Sequence, residues 1–113
     1  MKRLRVVWAR AAKRDLEGIV SYVAADSPQA GLALLDKLEA RAKSLRTMAD
    51  RGRVVPELAR LHIRHYRELV VAPYRLLCRA TSRELLMVAV YDARRSLEDV
   101  LLERLIRIGE GEE

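Results

Sequence analysis

The sequence predicts an α+β fold: a small antiparallel β-sheet with an N-terminal αα-hairpin packed on one face and a C-terminal helix, in the order β-α-α-β-β-β-α. Three observations point to it. Three runs rich in Val, Leu and Tyr, Arg67–Ala72, Tyr74–Ala80 and Leu85–Tyr91, follow one another across short breakers, as in a meander of antiparallel strands. Upstream, apolar residues take up helical spacing in two successive segments. Downstream, a last apolar stripe starts behind Ser96.

Leu4–Trp8 alternates Leu4, Val6 and Trp8 against Arg5 and Val7, a short strand. From Ala9 the period changes: Ala12, Leu16, Ile19, Val20 and Val23 fall on one side of an amphipathic helix. Asp26-Ser27-Pro28 punctuates the chain, with Ser27 suited to cap a second helix and Pro28 to its first turn. That helix runs to about Met48 and presents Leu34, Leu35, Leu38, Ala42, Leu45 and Met48. Asp50-Arg51-Gly52-Arg53 ends the hairpin. Val54–Tyr66 has no clear period and is broken by Pro56, so it reads as a loop with a short strand or turn.

In the meander, LLMVAVY is apolar at both parities, which marks an inner strand buried on both faces. A turn at Ala72-Pro73 pairs Val71 with Tyr74, Val70 with Arg75 and Glu68 with Leu77. One face then carries Arg67, Leu69, Val71, Tyr74, Leu76, Cys78 and Ala80; the other carries Glu68, Val70, Arg75, Leu77 and Arg79. Glu68 falls between Arg75 and Arg79, so this second face is either a half-solvated, salt-bridged surface or one that binds an anion or a partner. Unless the last helix or a partner covers it, it stays partly open. Ser96 and Asp99 form a capping box for the C-terminal helix. Its stripe of Leu97, Val100, Leu101, Leu105 and Ile108 is widened by Leu102 and Ile106, implying contact with more than one surface. Gly109 and Gly111 end it, and the acidic Glu110–Glu113 frays.

At 113 residues, with no repeat or linker, one domain over 1–113 is expected. Without Phe, the core must be built from Leu, Val and Ala, with Trp8 and the tyrosines as its large members. The single cysteine excludes an internal disulfide framework and fits a reducing, cytoplasmic setting, with Cys78 as a buried structural thiol. No long apolar run or signal-peptide core is present, so no membrane partner is expected. The net charge of +6 comes from 18 Arg against only Lys2, Lys13, Lys37 and Lys43. Such a balance favours acidic partners, either nucleic acid or an acidic protein segment.

No metal or cofactor is expected: His62 and His65 are the only histidines, and glycine-loop, nucleophile-elbow and paired-cysteine motifs are missing. Metal-free RNA cleavage needs cations for the phosphate and groups that move protons. Arg67, Arg75, Arg79, Arg94 and Arg95 supply cations, and Tyr91, His62, His65 or Glu57 the proton donors and acceptors. Arginine itself stays protonated and is a poor base, and lysine is absent after Lys43.

The phrases GRVVPEL (Gly52–Leu58), HYRELVVAPYRLLCR (His65–Arg79) and VYDARRSLEDVL (Val90–Leu101), with the element order and the Asp15–Val23 pattern, resemble the RelE/ParE superfamily of bacterial toxins, most of all its ParE branch. The resemblance implies a type II toxin neutralised by an acidic cognate antitoxin that folds on binding. ParE-type toxins inhibit DNA gyrase; RelE-type toxins cleave mRNA on the ribosome, the alternative activity. For an mRNA nuclease, Arg67, Arg75, Tyr91, Arg94 and Arg95 are the implied site, with Tyr91 where ParE-like sequences commonly place a histidine. For antitoxin or target binding the candidates are Arg5, Arg75, Leu77, Arg79, Arg94 and Arg95. On this reading Arg75 and Arg94 lie on a solvated or partner-facing surface, and alanine at either leaves the fold intact.

Overall fold

The computed structural model describes residues 3–47 and 52–109. The alternating Arg5–Trp8 forms β1, and the two amphipathic segments form α1 (Arg10–Asp26) and α2 (Pro28–Lys43). Ser27 caps the second as the spacing requires: its hydroxyl accepts from the Ala30 N–H at 3.2 Å. The two helices pack closely at Gly31, where a Cβ would lie 2.6 Å from that of Ala24. Only a residue without a side chain fits there. The aperiodic segment yields β2 (Arg53–Val54) and a short helix, α3 (Pro56–Ala59), with Pro56 at its first turn. The helix was not foreseen, because one turn is too short to show a period. The meander follows as β3 (Tyr66–Val71), β4 (Tyr74–Ala80) and β5 (Glu84–Asp92), then α4 (Leu97–Gly109). The Ser96 hydroxyl accepts from the Asp99 N–H at 3.0 Å and starts α4. Met48, Asp50, Arg51, the side chain of Ile108 and the residues after Gly109 lie outside what is described.

The sheet order is β1-β5-β4-β3-β2. The β3–β4 register is the one the Ala72-Pro73 turn implies: Val71 opposite Tyr74, Val70 opposite Arg75, Glu68 opposite Leu77. One pairing departs from an all-antiparallel sheet. β1 runs parallel to β5, from Arg5 opposite Glu84 to Trp8 opposite Met87, so β5 is flanked on both sides as its apolar run requires. A bulge interrupts the β4–β5 ladder: Leu77 faces Ala89 and Cys78 faces Met87, leaving Val88 extra. The extra residue resets the parity of β5. Leu85, Met87 and Val90 therefore join the core beneath α1 and α2, with Leu76, Cys78, Leu16 and Leu38, while Ala89 and Tyr91 point to the other side.

That other side is not open. α3 and α4 lie over it, and Val55, Leu77, Ala89, Tyr91, Leu97 and Val100 form a second, smaller core. The wide stripe of α4 is only half used: Leu97 and Val100 are buried, whereas Leu101, Leu102, Leu105 and Ile106 remain exposed. No helix among the described residues is long and apolar enough to cross a membrane.

Candidate functional site

The second face centres on Arg75. Strand register sets Arg75 beside Tyr91 on one flank and Val70 on the other, with Glu68 one step along β3. Its Nε donates to Glu68 Oε1 at 2.7 Å, and its Nη2 donates to the same oxygen. α3 brings Glu57 over the strand, where the two carboxylate oxygens accept from Nη1 and Nη2 at 2.9 and 3.0 Å, a bidentate fork. Arg53 on β2 pairs with the remaining oxygen of Glu68. The guanidinium carbon sits 5.2 Å from the centre of the Tyr91 ring. Arg75 and Glu68 are 7% and 1% exposed, which corrects the expectation of a half-solvated face bearing an accessible Arg75. The reason is composition: two carboxylates meet two guanidiniums, so the charges balance and can be buried.

The network shows in the proton affinities. The hydrogen bonds from Arg75 hold the Glu57 carboxyl down at about 2, and Glu57 in turn raises Arg75 above the usual arginine range. Burial pushes the Tyr91 hydroxyl up to about 12, and that oxygen has no hydrogen-bond partner among the described residues. Because the folded value of Glu57 lies below its unfolded one, its contribution is full above about 4.5 and disappears as the pH falls through about 2. Urea midpoints are therefore expected to fall over this window in the wild type and to fall less in Glu57→Gln.

The other candidate residues are distributed around this centre. Leu77 is buried beneath α4 and offers no contact surface, a second correction. Arg79 is exposed at the rim, its guanidinium 5.9 Å from the Tyr66 ring. Arg67 points to the opposite face and donates to the Gly52 carbonyl at 3.1 Å, away from Arg75 and Tyr91. Arg94, in the turn after β5, donates to Asp92 at 2.6 and 2.9 Å and holds that carboxyl down at about 2. Arg95 pairs with Glu103 and Arg5 with Glu84. The residues proposed for RNA cleavage thus form no single site. His62 and His65 are exposed, the latter in tilted contact with the Tyr66 ring, 4.6 Å between centres. No group of His, Cys, Asp or Glu among the described residues is placed to hold a metal. Cys78 is buried and its thiol pushed up to about 11 by desolvation, so it is unreactive.

Arg94 and Arg95 border a cleft of about 880 Å³ between α1 and the β4–β5 end of the sheet, walled by Ile19, Tyr22 and Tyr74. Tyr22 stands 82% exposed at its mouth, an amphipathic ring suited to a protein contact. Tyr22 thus corrects the expectation that the tyrosines are large members of the core, and sequence reading missed an ion pair whose carboxylate, Asp15, borders this cleft. There the Asp15 carboxylate accepts from the Val90 N–H at 3.1 Å and from Arg104 Nη2 at 2.7 Å, and Arg104 Nη1 donates to the Val88 carbonyl at 2.9 Å. Asp15 and Arg104 are 89 residues apart, beyond the reach of any local pattern. Chemically, the two faces are equipped to bind: Arg53, Arg75, Arg94 and Arg95 are held in ion pairs and the proton-transfer groups are buried or scattered.

No curated protein matches the chain. A solved structure of the chromosomal ParDE TA system from P. aeruginosa is similar to it in fold, with a TM-score of 0.64 at 22% identity, over 80% of this chain and 96% of that one. The family model for the ParE toxin of the type II toxin–antitoxin system parDE matches residues 6–97, and with that match the chain belongs to the ParE toxin family.

Proposed function

We propose that this ParE-family toxin acts by inhibiting DNA gyrase in the cytoplasm and is neutralised by its cognate antitoxin, an acidic segment that folds on binding. The observation that supports a binding mode of action is the state of Arg75 and Tyr91. The arginine that a nuclease would turn towards phosphate is held by Glu57 and Glu68 under α3. The tyrosine that would serve as acid is 2% exposed. Neither reaches a substrate without dismantling the second face. An inhibitor that works by contact needs no such groups, and the exposed apolar residues of α4 and the Tyr22 cleft give it surface to use. The basic net charge steers an acidic antitoxin towards the toxin and speeds association.

The test runs purified toxin in two assays side by side. Gyrase supercoiling is expected to fall with accumulation of cleaved DNA complexes, and translation-coupled mRNA is expected to stay intact. Cleaved mRNA with unimpaired supercoiling overturns the reading in favour of ribosome-dependent cleavage. Co-purification with the product of the adjacent open reading frame checks the antitoxin part.

A further inference from the structure

One end of the sheet concentrates positive charge that the gyrase reading does not use. Backbone contacts tie this end together. The Leu4 N–H donates to the Arg46 carbonyl and the Arg5 N–H to the Arg83 carbonyl, both at 2.9 Å, and Tyr66 lies opposite Arg79 in the β3–β4 register. Four segments therefore meet here: the start of β1, the end of α2, the approach to β3 and the β4–β5 turn. They bring Arg3, Lys43, Arg46, Arg64, Arg79 and Arg83 to one end, all exposed except the half-buried Arg46. The one carboxylate in segments 3–6, 43–46, 60–66 and 79–84 is Glu84, already paired with Arg5. Among the described residues none of the six forms an ion pair. An open cleft of about 400 Å³ between β1 and the end of α2 is bordered by Arg3, Arg5, Lys43 and Arg46.

We infer that this end of the sheet binds the phosphodiester backbone of nucleic acid. Exposed guanidiniums without carboxylate partners, four of the six cations here, match phosphate oxygens in a fork that lysine cannot make. Arg79 is partly preorganised by its position over the Tyr66 ring. An acidic peptide is the competing polyanion, and the distribution of apolar surface argues against it. A segment that folds on binding must bury apolar side chains to offset its ordering. The exposed large apolar residues lie on α4 and at Tyr22, Leu32 and Val70, and at this end only Leu61 is exposed among the described ones. The inference goes beyond the gyrase reading and stands apart from it, since binding is measured with neither gyrase nor ribosome present.

The experiment is fluorescence polarisation with short labelled duplex DNA, the same DNA as a single strand, the matching RNA, and poly-glutamate, across roughly 50 to 200 mM salt. At least one nucleic acid is expected to bind with log affinity falling against log salt at a slope of about −3 or steeper, since each engaged phosphate adds about −0.9 for duplex DNA and about −0.7 for a single strand. The tightest arm identifies the strand form. Arg64→Glu with Arg83→Glu is expected to weaken binding by at least about tenfold and to flatten the slope by about 1.5 to 2. Arg10→Glu with Lys37→Glu makes the same change in net charge away from this end and is expected to weaken binding by less than about threefold. Each variant is melted by circular dichroism first; Arg79→Gln replaces the first pair if that pair does not fold, with a smaller loss in the same direction. Equal losses from both pairs, a salt-independent affinity, or poly-glutamate binding as tightly as the best nucleic acid overturns the inference.

Discussion

Arg75→Ala is expected to lower the unfolding free energy by about 3–5 kcal/mol, a large part of the roughly 5–15 kcal/mol a domain of this size holds. The substitution leaves the Glu68 carboxylate, whose side chain is 0% exposed, facing only Arg53, which is 61% exposed. A buried charge that loses its main partner keeps its desolvation penalty and loses the compensating attraction. Urea denaturation is expected to show an earlier midpoint with an unchanged slope. Arg75→Met with Glu68→Leu removes both charges at once and is expected to recover much of the loss, because the penalty goes with the pair. Arg94→Ala, which removes only an exposed ion pair in the turn, is expected to melt like the wild type. Lost toxicity in that variant therefore reports a lost contact, whereas in Arg75→Ala it tracks the loss of folded protein. Wild-type stability in Arg75→Ala would show that the ion cluster does not hold the second face together.

Leu76→Ala is expected to cost about 2–5 kcal/mol and to lower Tm by roughly 10 °C or more. Leu76 is 0% exposed at the middle of β4, opposite Leu69 and Val90 and beneath the helical hairpin, where neighbours on both flanking strands prevent collapse into the space left behind. The matched control is Leu102→Ala, 57% exposed on α4, which is expected to shift stability by no more than about 0.5 kcal/mol. A small effect at Leu76 would mean that the hairpin is only loosely seated on the sheet.

The hairpin register and the division of its faces were legible because a turn at Ala72-Pro73 and a period of two leave one arrangement. The caps at Ser27 and Ser96 were legible for the same reason, a local spacing with a single physical use. What the sequence hid was long-range. The parallel pairing of Arg5 with Glu84 has no local mark. Nor does the arrival of Glu57 over Arg75, since its helix is one turn long and its partner lies 18 residues away. Without Glu57, a strand face holding Glu68, Arg75 and Arg79 reads as solvated; with it, the charges close on themselves and the face is covered. The candidate cations divided along the same line. Arg79, with no ion-pair partner among the described residues, and Arg94, paired with Asp92 in an exposed turn, stayed at the surface, and Arg75 did not.

The Asp15–Arg104 pair has a consequence for how the sheet can grow. β1 stops opposite Met87, so β5 runs on beyond it with a length of unpaired backbone, the kind of border that recruits a foreign strand. The carboxylate occupies the Val90 N–H and the guanidinium the Val88 carbonyl, so two ladder positions are filled by side chains from opposite layers of the protein. An extended peptide cannot zip onto that margin without first prising apart α1 and α4. Strand donation by any partner is thereby directed elsewhere, to the outer margin of β1 or to β3 beyond its two residues of pairing with β2.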